Sequence, residues 1–130
     1  MNITCKRISF MLLLLVSFAL QAQEITMPSA DFSKDLLSTL KPGNDLGITS
    51  DVASKLESEN QSFVSDVVDI MGSSDDDATK KLKINNRKNE RDNALGKVFG
   101  SDDALKSYKK KIKKEMKPFK RKYKLATLIF

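Results

Sequence analysis

The chain has 130 residues, with 23 Lys and Arg against 17 Asp and Glu, one Cys, no His and no Trp. That length holds one small domain at most. The lack of His excludes Ser–His–Asp and Cys–His catalysis and His-ligated zinc, and a lone Cys excludes an intramolecular disulfide or a CxxC site. Composition therefore points away from an enzyme, and no cofactor or metal is expected.

The chain opens with Lys6 and Arg7, followed by residues 8–20, apolar apart from Ser9 and Ser17, and then Gln21-Ala22-Gln23. A basic start, a short apolar run and a small residue at a polar boundary predict a secretory signal peptide over residues 1–22. The apolar run is about 13 residues long, against the roughly 20 that a spanning helix needs. Cys5 precedes the run and would leave with the signal. The rest of the chain then has no thiol, which suits an oxidising compartment. The expected location is periplasmic or secreted.

The remaining apolar residues recur at helical spacing, with no convincing alternating run. A first helix is predicted over residues 29–40, with Phe32, Leu36, Leu37 and Leu40 on one side and Lys41-Pro42-Gly43 stopping it. A second covers residues 50–71, with Thr49 as N-cap and Val52, Leu56, Phe63, Val67 and Ile70 as its stripe; Asn60 falls within that stripe. A third covers residues 76–98. Its apolar set is thin (Ala78, Leu82, Ile84, Leu95 and Val98), and Asn85, Asn89, Arg91 and Asp92 fill its middle. So polar a helix must be largely exposed or make polar contacts across an interface. A fourth is capped by Ser101. Its residues Leu105, Tyr108, Ile112, Met116, Phe119 and Tyr123 follow one another at steps of three or four, and Pro118 predicts a kink or stop near Lys117. The apolar tail, residues 125–130, either docks on the body or offers a sticky end.

The expected fold is all-α: a long-helix hairpin or an open small bundle of four helices, which homodimerisation could complete. The expected organisation is a signal peptide (1–22), a short N-terminal helical segment (23–44), a helical domain (45–124) and the tail (125–130).

Charge is segregated. Residues 45–77 hold nine acids and one base, Lys55, whereas residues 106–124 hold eleven bases and one acid, Glu115. The bland reading is a solvated helix face, partly neutralised by the acidic second helix. The functional readings are attraction to acidic proteins or to anionic lipid. Nucleic acid ranks last, because no base-reading module is evident and an export signal leads away from it.

Asp75-Asp76-Asp77 lacks the spacing of a calcium loop and reads as helix-dipole compensation. Glu90 and Asp92 sit two apart and face different ways, so Asn89-Glu90-Arg91-Asp92-Asn93 reads as a surface or interhelical hydrogen-bond network rather than an acid–base pair. The glycosylation sequon Asn60-Gln61-Ser62 lies inside a predicted helix.

The order of features resembles the Spy/CpxP-like periplasmic proteins, the LTxxQ-motif family. Ile48-Thr49-Ser50-Asp51-Val52 and Gly100-Ser101-Asp102-Asp103-Ala104 match its two helix-opening elements, with Val52 and Ala104 in place of Gln and Gly100 in place of the second Leu. The resemblance spans residues 46–123. It implies a curved, dimeric helical cradle that binds unfolded envelope proteins without ATP. The family's metal-binding relatives use His, so metal sensing does not carry over.

The expected function is thus an exported, non-catalytic helical binding protein, chaperone-like in mode. Lys110, Lys113, Lys114, Lys117 and Arg121 would attract unfolded or acidic envelope proteins. Phe99, Tyr108, Ile112 and Phe119 would make apolar contacts with them, or pack a dimer, or belong to the core. The alternative is a membrane-surface protein that binds anionic lipid through the basic fourth helix and the tail.

Overall fold

The computed structural model describes residues 24–130; the expected signal peptide and Cys5 lie outside the described residues. Five helices follow in order: α1 (Phe32–Leu40), α2 (Ser50–Gly72), α3 (Asp77–Phe99), α4 (Asp102–Lys122) and the short α5 (Ala126–Ile129). The fold is an all-α small helical bundle, with no strand among the described residues. Long α2 and α3 form an antiparallel hairpin, α1 packs against α2 and α4, and α5 packs against α3 and α4.

Local chemistry sets the helix ends. The Val52 amide donates to the Thr49 hydroxyl at 3.3 Å, and the Thr79 amide donates to the Asp76 carboxylate at 2.8 Å, so both long helices start on side-chain caps. The break after α3 falls at Gly100, whose φ of 60° is left-handed and suits a residue without Cβ. Ser101 occupies the N-cap position of α4, but its hydroxyl makes no capping bond.

The core joins α1, α2 and α4 through the predicted stripes. Phe32, Leu36 and Leu40 of α1, Leu56, Phe63 and Val67 of α2, and Tyr108, Ile112, Met116 and Phe119 of α4 are all buried. Phe32, Phe119 and Tyr123 form a cluster with ring centroids 4.9 to 5.5 Å apart. This cluster carries α4 past Pro118, so of the kink or stop expected near Lys117 the stop does not occur. An interior proline costs about 3 kcal/mol. Burying Phe119 and Tyr123 returns about 1.5–3 kcal/mol each. Pro118 and Lys114, whose carbonyl loses its donor, both lie on the exposed side.

α3 departs furthest from its predicted face. Leu82 is 60 % exposed, and the inward line is Lys80, Ile84, Arg91, Leu95 and Phe99. Ile84 and Leu95 of the predicted apolar set face inward, but two of the five inward residues are cations and Leu82 faces out, so an apolar pattern finds only part of this face. Both outcomes expected for so polar a helix are found: most of α3 is exposed, and its polar contacts are made to other helices of the same chain. Arg87 binds Glu59 at 3.0 Å and Asp66 at 2.6 Å across the hairpin. Lys80, 6 % exposed, donates to the Met71 carbonyl at 3.0 Å and to the Ile25 carbonyl at 2.9 Å. Met71 lies in the last turn of α2, so this ammonium sits at the negative end of a helix dipole. The Ile25 amide donates to Asp77 at 3.0 Å, which pins the segment before α1 to the α2–α3 corner.

The tail docks. Ala126 and Ile129 are fully buried, and the Phe130 ring meets Phe63 edge-on at 5.8 Å.

Candidate functional site

Helix α4 presents its cations in three rows, and each row has a different setting. On the side facing α1 and the loop after it, Lys122 binds Asp35 at 2.6 Å and Lys111 binds Asp45. The Tyr123 hydroxyl also donates to Asp35 at 2.7 Å. Hydrogen bonds from Lys122 and then Tyr123 hold the Asp35 carboxyl below its ordinary value, and the bond to Asp35 raises the Lys122 ammonium above its own.

On the side facing α3 and α5, Lys109 binds Asp92 at 3.1 Å, Lys120 donates to the Phe130 main-chain oxygen at 2.7 Å, and Lys113 pairs with no carboxylate among the described residues. The outer row is Lys106, Lys110, Lys114, Lys117 and Arg121. All five are exposed, and none forms an ion pair within the described residues. The expected neutralisation by the acidic second helix is not what the packing provides. The carboxylates of α2 that form ion pairs do so with Lys55 of α2 itself or with Arg87 of α3. Of the acidic stretch, Asp45 alone pairs with α4 among the described residues.

The sequence-predicted binding residues thus divide. Lys110, Lys114, Lys117 and Arg121 share the outer row, whereas Lys113 stands at the edge of the α3 side. Phe99, Tyr108, Ile112 and Phe119 are 7 %, 1 %, 6 % and 5 % exposed. Their bulk closes the core of a single chain. Among the described residues, Leu82 is the exposed large apolar side chain.

Beneath the α3 side of α4 lies a polar network that periodicity did not reveal. α1 ends at Leu40, where Lys41-Pro42 breaks the helix and leaves its carbonyl without an intrahelical donor. Asn60 Nδ2 donates to that oxygen at 3.0 Å and Tyr108 Oη at 2.9 Å. Arg91 Nη2 then donates to Asn60 Oδ1 at 2.9 Å and to Tyr108 Oη at 3.1 Å. Burial raises the Tyr108 hydroxyl above its ordinary value, against the pull of Arg91. Arg91 is 6 % exposed and has no carboxylate partner, and its Nε is buried without a hydrogen bond. Its guanidinium lies 4.9 Å from the Phe63 ring centroid and 5.8 Å from that of Phe130, so aromatic faces and the C-terminal end of α1 stand in for a counter-ion. Arg91 and Asp92, the latter paired with Lys109, are thus the interhelical members of the polar run 89–93; Asn89, Glu90 and Asn93 are exposed. The amide of Asn60 is committed to the network, so the sequon is closed in the folded chain.

Above this network, between α3, α4 and the tail, runs a cleft of about 390 Å³, lined in part by Arg91, Tyr108, Ile112 and Lys113. The three aspartates 75–77 make no common site. Asp75 binds Lys83, Asp76 caps α3 and Asp77 accepts from Ile25. Among the described residues no three carboxylates converge as metal ligands would, and no helix is long and apolar enough to cross a membrane.

No protein-family model, curated protein or solved structure matches the chain, so the resemblance to the Spy/CpxP-like family rests on the residues quoted for it.

Proposed function

We propose that this chain is an exported, non-catalytic helical binding protein that holds acidic, partly unfolded client proteins on the outer row of α4. The observation that supports the reading is the line Lys106, Lys110, Lys114, Lys117 and Arg121, exposed, unpaired within the chain and regularly spaced. A row of fixed cations attracts an acidic surface over a distance set by salt. It therefore governs encounter rate and partner choice more than tightness. Holding by apolar contact plays a smaller part than the sequence suggested, because the aromatic residues of α4 face the core. Adsorption to anionic membrane is the weaker alternative: the apolar face of α4 and the tail, which would have to enter the lipid boundary, are packed inside.

The test compares aggregation of an acidic unfolding client, with and without the protein, at about 0.01 M and about 0.15 M salt, where charges act over about 30 Å and about 8 Å respectively. Suppression should be strong at low salt, weaker at the higher salt, and lost in Lys110→Glu/Lys114→Glu/Lys117→Glu. The same charge change placed elsewhere, Lys34→Glu/Lys81→Glu/Lys97→Glu, should leave it intact. Equal loss in both triple variants, or binding to anionic vesicles with no effect on the client, would overturn the reading.

A further inference from the structure

We infer that the cleft between α3, α4 and the tail is a binding site for a small amphipathic anion, an aliphatic chain carrying a carboxylate or phosphate head. The apolar lining of the cleft is the half-buried Phe130 and the edges of Ile112 and Met116, with Phe63 and Ile129 fully buried behind them. Its rim is cationic, formed by Lys88, Lys109, Lys113 and Lys120, with the buried Arg91 beneath them. One carboxylate, Asp92, also lines it, and Lys109 already holds that group at 3.1 Å. Among the described residues the other cations meet no side-chain carboxylate. Lys88 reaches the Leu128 carbonyl at 3.5 Å, Lys120 the Phe130 oxygen at 2.7 Å, and Arg91 the Asn60 and Tyr108 oxygens, its Nε having no partner.

A buried guanidinium without a counter-ion is costly to maintain. A ligand that brings a negative charge to this rim supplies what the side chains lack. The apolar lining excludes a bare inorganic anion as the best fit, because such an ion would lose hydration over Met116 and Phe130 and gain nothing from them. An uncharged alkane or alcohol would leave the rim as it is. A chain with an anionic head satisfies both halves. The volume, about 390 Å³, falls in the range of about 300–1,000 Å³ usual for small-ligand sites, and unbranched Met116 can adapt to a flexible chain.

This site is separate from the outer row of α4, so the two readings can fail independently. The full chain after export would be titrated with decanoate, decyl phosphate, decanol and acetate by calorimetry, while methyl resonances of Ile112, Met116 and Ile129 are followed by NMR. Decanoate or decyl phosphate should saturate one site per chain and shift those methyls, with the stronger of the two assigning the head group. Decanol and acetate should bind at least about tenfold more weakly. Lys113→Glu should weaken the anions by about tenfold or more, whereas Lys110→Glu/Lys114→Glu, on the outer row, should leave them within about twofold. Lys113 is exposed and makes no contact that folding needs, and the methyl shifts report on the wild-type chain in any case. Binding that never saturates, decanol binding as well as decanoate, shifts confined to other methyls, or equal loss in both lysine variants would overturn the inference.

Discussion

Replacing Asn60 by Leu tests the network that locks α1, α2, α3 and α4 together. The substitution keeps roughly the same volume and removes two bonds at once: the acceptor for Arg91 at 2.9 Å and the donor to Leu40 at 3.0 Å. A hydrogen bond to a charged group contributes about 1.5–3 kcal/mol and a neutral one about 0.5–1.5 kcal/mol. Tyr108 continues to serve both Arg91 and Leu40, and the new leucine gains some apolar contact, so the net loss should be about 2–3 kcal/mol. For a domain of this size each kcal/mol moves the melting temperature by about 4 °C, so a fall of about 8–12 °C is expected. Thermal unfolding followed by far-ultraviolet circular dichroism reads it directly. Arg91→Met removes the cation that needs Asn60, so Asn60→Leu should cost at least about 1 kcal/mol less in that background. A fall of less than about 2 °C in the single variant, or strictly additive costs in the double, would refute the claim that Asn60 holds a buried charge in place.

Two further outcomes follow from the geometry. Leu82→Lys should leave stability within about 0.5 kcal/mol of the parent, whereas Ile84→Lys, two residues away and inward, should prevent cooperative unfolding; denaturant titration separates them. Acid should destabilise the fold through exposed aspartates. Lys122 lowers the Asp35 carboxyl, Lys111 that of Asp45, Lys83 that of Asp75 and Thr79 that of Asp76, all from an ordinary value of 3.8. Folded values below unfolded ones contribute stability that is fully present above pH 3.8 and is lost as pH falls through the folded values. Melting temperature should therefore hold flat from neutral pH down to about pH 5 and drop below it. Asp35→Asn should flatten part of that drop.

The faces of α1, α2 and α4 were readable from the sequence because their inward positions are filled with Phe, Leu, Val, Ile and Met, which register in a 3.6-residue pattern. α3 was not, because Lys80 and Arg91 occupy inward positions and Leu82 an outward one. What makes those cations tolerable lies far off in the chain. Arg91 is 31 residues from Asn60, and Tyr108 is 68 from Leu40, whereas periodicity reports only on neighbours. Asn60 stood out as a polar residue in an apolar stripe, and that irregularity was the legible trace of the network. The cationic row of α4 was readable residue by residue. Its division into paired, cleft-facing and outer cations was not, since it depends on where Asp35, Asp45, Asp92 and the tail end up. Pro118 misled because the rule for proline takes no account of the aromatic cluster beyond it.

The outer row is hard to explain as a contribution to folding. Lys106 and Lys110, Lys110 and Lys114, Lys114 and Lys117, and Lys117 and Arg121 are neighbours three or four apart on one helix face. Each such like-charged pair destabilises a helix by about 0.2–0.5 kcal/mol, so the four together cost about 1–2 kcal/mol. Lys110 and Lys117 each belong to two of these pairs, so Lys110→Gln/Lys117→Gln breaks all four while keeping side chains of equal helix propensity. If the row exists for a partner, the double variant should melt several degrees higher than the parent and bind an acidic client less well. If it exists for the fold, the variant should melt lower, through some contact of Lys110 or Lys117 that stabilises α4. Melting and client binding measured on the same preparation decide between these. A variant that is both less stable and undiminished in binding would remove the physical basis for assigning the row to a partner.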